Sequence, residues 1–252
     1  MVQTIYHKTI SMSRKGNKKM KNILITGGSR GIGAAMVKEF AKEGYRVFFT
    51  YKNSYEKALA LATETGATAF VYDDTKNLHS EITKHGGLYA LINNAGISEQ
   101  KMFQDITESD WDNMFDSNIK NMFLTTKAYV SDMINKKCGR IINISSIWGI
   151  SGASCEVHYS ASKAAVIGFS KALSKELGPS GITVNCIAPG VIDTDMNKMH
   201  GEDVLKELTE ETPIGRLGTP EEVAKLAIYL CSEAAAFVTG QTITMDGGFL
   251  GI

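Results

Sequence analysis

The segment Asn22–Gly33 reads NILITGGSRGIG, a short apolar run followed by a turn with four glycines. The run is typical of a buried strand, and the residues after it recur at helical spacing through Ile32, Met36 and Phe40. Glycines between a strand and a helix allow a tight turn and let backbone N–H groups approach a pyrophosphate, while the helix dipole favours negative charge there. A purely structural turn is the competing interpretation, but the flanking strand and helix favour nucleotide binding.

Apolar runs alternate with amphipathic stretches along the rest of the chain. The predicted strands span residues 22–26, 46–51, 68–72, 88–92, 140–145, 183–187 and 242–245. The predicted helices span residues 32–43, 54–64, 111–135, 158–177 and 220–231, with a short one near 77–85. Apolar strands that alternate with helices are typical of a parallel sheet covered on both faces. We therefore expect a single doubly wound α/β domain over residues 20–252, with a seven-stranded parallel sheet.

Composition excludes several classes of protein. The chain has 252 residues, 27 of them basic and 27 acidic, but residues 1–22 hold six basic residues and no acidic one. The remaining body therefore has 21 basic and 27 acidic residues, which argues against nucleic-acid binding. No apolar run is long enough to span a membrane, so we expect no membrane partner. Residues 1–19 are expected to be a dispensable basic extension, with a functional arm as the alternative.

The cysteine and histidine pattern bears on location and on metals. Four widely spaced cysteines without a secretory signal predict free thiols and a cytoplasmic location. The histidines are scattered and form no cluster with ligand spacing, so no metal site is expected.

Further motifs follow the glycine turn in chain order. Asn93-Asn94-Ala95-Gly96 follows the fourth predicted strand, Ser146 lies 13 residues before Tyr159, and Pro189-Gly190 follows the sixth strand. Tyr159-Ser160-Ala161-Ser162-Lys163 has the spacing Tyr-x-x-x-Lys. Together these motifs resemble the signature of the short-chain dehydrogenase/reductase family over roughly residues 20–252. The resemblance implies a Rossmann-type fold and a nicotinamide cofactor. The cofactor contacts that it implies are Gly27, Ser29, Arg30, Gly31, Ile32, Gly33, Lys52, Asp73, Asn93, Ala95, Gly96, Tyr159, Lys163, Pro189, Gly190, Ile192 and Thr194.

The catalytic chemistry follows from the residue types themselves. Tyr159 and Lys163 lie four apart on a predicted helix and share a face. A free phenol has a pKa of about 10, and a nearby ammonium is expected to lower it. Tyr159 can then exchange a proton with a carbonyl oxygen, to which Ser146 donates a hydrogen bond. Taken singly, these residues also fit a core aromatic, a solvated lysine and a turn serine. The resemblance adds ribose binding by Lys163 and a water-holding role for Asn118.

Selectivity for the cofactor depends on the end of the second strand. That strand ends Thr50-Tyr51-Lys52-Asn53 without the acidic residue that binds the ribose diol of NAD. Lys52 and Arg30 would attract the 2′-phosphate of NADP(H), which we therefore expect as cofactor. Lys52 is otherwise a solvated side chain. Asp73, by resemblance, lies beside the adenine, although aspartate is also common in turns at strand ends.

Several substrate classes remain open. Ile182–Met196 and Gly240–Gly248 most resemble the 3-oxoacyl-[acyl-carrier-protein] reductase branch, whose carrier is acidic. Basic residues at 136, 137 and 140 are expected to meet that carrier at the pocket mouth, whereas Ser180 stands where some of those enzymes have Arg. Residues 146–160 are similar to reductases of the aminopentanone modification of elongation factor P, and Glu156 would suit an amine or simply face water. A sugar or steroid alcohol oxidoreductase and a non-catalytic NADP sensor or scaffold are further alternatives.

Three structural expectations complete the interpretation. The polar residues 195–218 are expected to form a substrate lid above the sheet, with a solvated loop as the alternative. His158 is interpreted as a helix-start residue rather than a second acid. The resemblance implies a homotetramer built through residues 111–135, 158–177 and the last strand. Phe169 and Leu173 fit that assembly and fit core packing equally well.

Overall fold

The computed structural model describes residues 20–194 and 201–251, and its strands form one parallel sheet. In chain order the strands are β1 Asn22–Ile25, β2 Arg46–Tyr51, β3 Thr68–Val71, β4 Ala90–Asn93, β5 Gly139–Ile144, β6 Ile182–Pro189 and β7 Thr242–Met245. Their order across the sheet is β3-β2-β1-β4-β5-β6-β7, with parallel pairing throughout. The order reverses between β1 and β4, and a crevice forms beyond the carboxyl ends of strands at such a point. The predicted doubly wound seven-stranded sheet is confirmed.

Helices cover both faces of this sheet. They are α1 Gly31–Lys42, α2 Tyr55–Thr65, α3 Thr75–Lys84, α4 Glu108–Phe115, α5 Asn121–Lys136, α6 Trp148–Ser151, α7 Val157–Leu177, α8 Glu202–Glu211 and α9 Pro220–Cys231. Successive side chains of a strand point to opposite faces. Ile23 and Ile25 of β1 accordingly pack in the cluster of α1, α2 and α9, whereas Leu24 packs in the cluster of α3, α5 and α7.

The helix predicted over residues 111–135 is interrupted in the structure. It begins earlier, at Glu108, because Thr107 and Asp110 form a capping box in which each side chain bonds the backbone of the other. A π-helical turn, Asp116–Lys120, then separates α4 from α5. Such turns are frequent at functional sites, and this one carries the buried Asn118.

The predicted lid contains a helix that the sequence reading missed. Residues 195–200 and 1–19, on which other expectations fall, lie outside the described residues. Helix α8 occupies much of the rest. The chain then returns to the segment that follows β6, where Asp193 N donates to Gly218 O over 2.9 Å. Arg216 then holds this return to α9 through two hydrogen bonds to Glu222, of 3.0 and 2.6 Å.

Within residues 20–194 and 201–251, no helix is both long enough and apolar enough to cross a membrane. All four cysteines are free thiols. No group of three or more His, Cys, Asp or Glu side chains in the same ranges is placed to hold a metal ion.

Candidate active site

A crevice of about 480 Å³ opens beyond the carboxyl ends of the central strands. Its size falls within the range of small-molecule and cofactor sites. Of the predicted site residues, all but Asp73, Asn93 and Asn118 line it. Those that do are Gly27, Ser29, Arg30, Gly31, Ile32, Gly33, Lys52, Ala95, Gly96, Ser146, Tyr159, Lys163, Pro189, Gly190, Ile192 and Thr194.

The glycine turn between β1 and α1 forms one end of the crevice. Gly31 has a φ of +52°, which favours glycine, and a side chain on Gly33 would overlap the carbonyl oxygen of Gly27. Arg30 precedes α1 without capping it through its side chain, and the first turn of the helix has no acidic residue. The first turn of α1 lines the crevice and has no carboxylate of its own that would compete for its N–H groups. This end suits the pyrophosphate of a dinucleotide.

Two predicted cofactor contacts, Asp73 and Asn93, are not among the residues that line the crevice. The side chain of Asn93 is buried and donates to Thr126 Oγ1 at 3.0 Å and to Asn143 Oδ1 at 2.8 Å, so it ties β4 to its neighbours instead of lining the crevice. Tyr72, not Asp73, lines the adenine end. Asp73, in the turn after β3, is exposed and is not among the residues that line the crevice. Both residues remain predicted cofactor contacts.

Asn94 is a crevice residue that the sequence reading left without a role. Its Nδ2 donates to the carbonyl oxygens of Thr26, at 3.0 Å, and Gly27, at 3.1 Å. Thr26 Oγ1 in return accepts from the backbone N of Asn94 and of Ala95, both at 3.0 Å. These bonds hold the loop after β4 against the glycine turn. The signal was its place in the Asn93–Gly96 motif.

Helix α7 brings Tyr159 and Lys163 to the middle of the crevice. Lys163 Nζ lies 5.6 Å from the centre of the Tyr159 ring and donates to the carbonyl oxygen of Ile144 over 3.0 Å. Burial lowers the pKa of Lys163 to about 8. The pKa of Tyr159 is raised to about 12, mainly by burial and to a lesser extent by the charge of Glu156, while a hydrogen bond with Ser146 acts in the opposite direction.

The expected lowering of the pKa of Tyr159 by Lys163 is therefore wrong for this geometry. The ammonium is directed at a backbone carbonyl, and loss of hydration around the phenol outweighs its influence. The consequence is chemical: Tyr159 keeps its proton at neutral pH. A protonated phenol is ready to act as an acid.

Ser146 and Asn118 complete the catalytic end. Ser146 follows β5, is 8% exposed, and accepts a hydrogen bond from the backbone N of Trp148 at 3.2 Å. Asn118 lies behind the lining, where its amide donates to the carbonyl oxygen of Ile97 at 3.0 Å and to Ser162 Oγ at 2.9 Å. Its Oδ1 and Lys163 Nζ both lie beside Gly96, and a side chain there would come within 2.9 and 3.5 Å of them. Asn118 thus fixes the loop that faces the lysine.

The wall opposite the glycine turn carries a carboxyl group. Glu156 is 6% exposed, lines the crevice and accepts a hydrogen bond from Gln100 Nε2 at 3.3 Å. His158, the second residue of α7, is fully buried, and its Nε2 lies 3.6 Å from Glu99 Oε2. The interpretation of His158 as a helix-start residue is confirmed, and it does not line the crevice.

The basic residues expected at the pocket mouth lie at the other end of the strands, away from the crevice. Lys136 ends α5, Lys137 follows it, and Arg140 is the second residue of β5, whereas Ser146 follows the carboxyl end of that strand. The six residues of β5 separate the two groups by roughly 20 Å. Arg140 is moreover 4% exposed. These three residues therefore cannot receive an acidic carrier at the crevice, and that expectation is wrong.

Comparison with known proteins agrees with this geometry. A family model described as enoyl-(acyl carrier protein) reductase matches residues 27–250. The 3-oxoacyl-[acyl-carrier-protein] reductase of Chlamydia trachomatis is 38% identical over 239 residues, which cover 90% of this chain and 96% of that protein. The acetoacetyl-CoA reductase of Shinella zoogloeoides is 39% identical over 232 residues, covering 89% and 96%. A crystal structure of 3-oxoacyl-[acyl-carrier protein] reductase from Brucella melitensis superposes with a TM-score of 0.84 at 34% identity, over 91% of each chain. The chain therefore belongs to the short-chain dehydrogenase/reductase family.

Proposed function

We propose that this protein is an NADPH-dependent carbonyl reductase that converts a ketone into a secondary alcohol. The meeting of Tyr159, Ser146 and Lys163 in the crevice that contains the glycine turn carries this proposal. A non-catalytic sensor or scaffold requires the dinucleotide cradle alone. This chain keeps a protonated phenol, a hydroxyl and an ammonium beside it, and its curated relatives are named as reductases.

The side chains divide the chemistry among them. When bound, NADPH supplies the hydride that the carbonyl carbon accepts. Tyr159 donates its proton to the carbonyl oxygen, so the O–H bond of the phenol breaks as that of the alcohol forms. Ser146 donates a hydrogen bond to the same oxygen, where negative charge develops. Lys163 favours the phenolate that remains after transfer, because an ammonium nearby stabilises negative charge.

The charges around the crevice support NADPH over NADH. Arg30 in the glycine turn and Lys52 after β2 are both exposed at its adenine end. Residues 50–54 include no carboxylate that would bind a ribose diol and repel a 2′-phosphate. Two cations at this place favour a phosphate group.

The relatives support a 3-oxoacyl thioester as substrate, but the wall of the crevice favours a second candidate. Glu156 puts a buried carboxyl group beside Tyr159, which suits a substrate with a cationic group, such as an amino ketone. Residues 101–120, which follow the wall residue Gln100 that contacts Glu156, hold five acidic residues and two basic ones, Lys101 and Lys120, which pair with Asp110 and Asp116. An acidic carrier protein would be repelled by such a segment.

Steady-state oxidation of NADPH tests these candidates. The substrates are an acetoacetyl thioester that mimics the carrier and a small amino ketone, each with the unmodified protein and with Glu156→Gln. Turnover of the thioester that Glu156→Gln leaves intact at neutral pH supports the first candidate. A preference of about tenfold for the amine that Glu156→Gln abolishes supports the second, since a charged hydrogen bond contributes about 1.5–3 kcal/mol. Absence of turnover on a broad panel of carbonyl compounds, with NADPH bound, would contradict the proposal.

We further propose that the protein assembles as a homotetramer. Phe169 and Leu173 pack against buried clusters of their own chain and so give no support. Phe123 and Leu124 on α5 do, because they are 44% and 51% exposed. Light scattering during size-exclusion chromatography measures the mass of the assembly directly. A monomer at micromolar concentration contradicts the proposal.

A further inference from the structure

A tryptophan lies in the crevice beside the hydroxyl groups of Ser146 and Tyr159. Trp148 is the first residue of α6, two residues after Ser146, and it lines the crevice. Its backbone N donates to Ser146 Oγ over 3.2 Å, and Ser146 is in turn hydrogen-bonded to Tyr159. In the proposed reaction the ketone oxygen lies between these two hydroxyl groups. Trp148 is therefore close to the chain that the ketone carries.

Two neighbours fix the position of this tryptophan. Gly149, the next residue of α6, packs directly on α7, where a side chain on it would come within 2.6 Å of the backbone carbon of Lys163. The ring of Phe249 packs on that of Trp148 with the ring centres 5.6 Å apart and the planes at 84°. Such an edge-to-face arrangement is favourable for aromatic pairs. Phe249 is not among the residues that line the crevice, so it supports the indole from behind.

The turn that follows β7 and carries Phe249 is itself held in place. The two carboxylate oxygens of Asp246 each accept a backbone hydrogen bond within this turn, both at 3.0 Å. On the other side, Ile214 N donates to Gly247 O over 3.2 Å, which ties the turn to the segment that follows α8. The turn is thus fixed between that segment and the ring of Trp148. The indole has a rigid support and cannot readily withdraw from the crevice.

We propose that Trp148 is a specificity-determining residue of the reduction, whose indole restricts the substrate to ketones with a short chain beyond the carbonyl, and that Phe249 is the positioning residue that holds this indole. The inference rests on the proposed carbonyl reductase activity and names compact ketones as its substrate class. The crevice of about 480 Å³ lies in the lower half of the range of sites for one small ligand, yet it must take the cofactor as well as the substrate. A longer chain would have to displace a supported wall, and such overpacking is unfavourable.

The dependence of kcat/KM on chain length tests this role. Ethyl 3-oxobutanoate and its homologues, lengthened on the ketone side by two and by four methylene groups, are reduced with NADPH by the unmodified protein and by Trp148→Ala. The unmodified protein should prefer the shortest ester to the longest by at least about tenfold, because a single methylene group in a closed pocket can have an effect of that size. Trp148→Ala should reduce this preference by about tenfold. The substitution keeps the backbone N that bonds Ser146, so a changed preference reports on the indole.

Further variants separate the size of the wall from general damage. Trp148→Phe keeps a smaller aromatic ring and should give an intermediate preference. Phe249→Ala should weaken the preference mainly by lowering KM for the longest ester, since it only releases the indole, and Phe249→Tyr keeps the ring and should restore it. Ile150→Ala is the matched control, because Ile150 lies on the same helix, is exposed and is not among the residues that line the crevice. It should leave the preference unchanged.

A fluorescence titration measures the same selection without turnover. Trp148 is one of two tryptophans, and Trp111→Phe leaves it as the sole one. Its emission is recorded while each ester is added in the presence of NADP⁺, which has no hydride to transfer. The shortest ester should change the emission at concentrations at least about tenfold lower than the longest ester. Addition of Phe249→Ala to this protein should reduce that difference, and binding of NADP⁺ reports folding.

A preference that stays the same in Trp148→Ala and Trp148→Phe, in proteins that bind NADPH, would overturn the role of Trp148 alone. Equal reduction of all three esters by the unmodified protein would also overturn it, as would a change in Ile150→Ala as large as that in Trp148→Ala. Absence of turnover by the unmodified protein on every carbonyl compound overturns the proposed function. The titration then still decides on Trp148, since an emission that responds to no ester, or equally to all three, contradicts selection by chain length.

Discussion

The ammonium of Lys163 donates a hydrogen bond to the carbonyl oxygen of Ile144 over 3.0 Å, which joins α7 to the last residue of β5. This bond holds a buried cation at the centre of the crevice, at some cost in stability. Burial lowers the pKa of the lysine to about 8. Function and stability are therefore opposed at this position.

Lys163→Met should abolish turnover while leaving the fold at least as stable. Between pH 8 and the ordinary lysine value of 10.5, the unfolded chain binds a proton that the folded chain does not. The unmodified protein should therefore gain stability relative to the variant as pH rises through this window, by at most about 1.4 kcal/mol per pH unit. Urea unfolding at several pH values measures the difference. Lys171→Met, at an exposed lysine of the same helix, is the control, and a variant with full turnover would disprove the assigned role.

Lys52→Asp should reverse the preference for the phosphorylated cofactor. A carboxylate after β2 repels a 2′-phosphate and can accept hydrogen bonds from a ribose diol. We expect kcat/KM for NADPH to fall about tenfold or more, since a hydrogen bond to a charged group contributes about 1.5–3 kcal/mol. The value for NADH should rise. Lys76→Asp changes an equally exposed lysine on α3, outside the crevice, and should alter neither value. Equal effects of both variants would count against the assignment.

Gly33→Ala should damage the cofactor cradle itself. The new methyl group would overlap Gly27 O and come within 2.7 Å of Asn94 Nδ2, so the turn and the loop after β4 must separate. We expect a loss of about 1–3 kcal/mol in the free energy of unfolding and a markedly weaker affinity for NADPH. Gly44→Ala is the control, because its φ of +80° costs about 1 kcal/mol but its methyl group meets nothing within 4 Å. Unchanged NADPH affinity in Gly33→Ala would show that the turn is not the cradle.

Glu233→Gln should destabilise the fold at the amino ends of the central strands, away from the crevice. Glu233 accepts a hydrogen bond from Lys21 Nζ at 2.8 Å, and its carboxyl group lies 3.6 Å from a guanidinium nitrogen of the buried Arg140. Removal of its charge leaves the buried Arg140 without its carboxylate partner. We expect the free energy of unfolding to fall by about 1–2 kcal/mol, which is less than for a fully buried pair because Glu233 is largely exposed.

The contribution of Glu233 to stability should depend on pH in the acid range. The hydrogen bond from Lys21 lowers the pKa of Glu233, so its contribution is complete above the ordinary carboxyl value and is lost as pH falls through the lowered one. Thermal unfolding should therefore show that Glu233→Gln loses less stability than the unmodified protein as pH falls over that range. Glu64→Gln breaks an exposed pair with Lys38 and should change stability by no more than about 0.5 kcal/mol.

Local patterns in the sequence predicted most of the fold. The run Asn22–Ile25 and the glycines after it determine the first strand, turn and helix, and the four-residue spacing of Tyr159 and Lys163 places both on one helix face. The direction of a parallel strand also predicts at which end of the sheet a residue lies. Arg140 lies at the start of β5 and Ser146 follows its end, so they had to lie at opposite ends of the strand. Likewise, Leu205 and Leu208 are spaced as on a helix face within α8.

Other features depend on tertiary packing and could not be read from spacing. The pKa of Tyr159 is set by the burial of its ring and by the direction of Lys163 towards Ile144, neither of which is local. The same holds for Asn93, whose amide turns inward because Thr126 and Asn143 offer buried partners from two other elements. The π-helical turn at Asn118 has no sequence signal that we can identify.

The most direct test of the account is the turnover of Tyr159→Phe measured together with its binding of NADPH. The variant keeps the ring and removes only the hydroxyl that is assigned as proton donor. We expect ketone reduction to fall by at least about a hundredfold, the lower range for a general acid, while NADPH binding changes little. Reduction at the unmodified rate by a folded, NADPH-binding Tyr159→Phe protein would contradict the central claim.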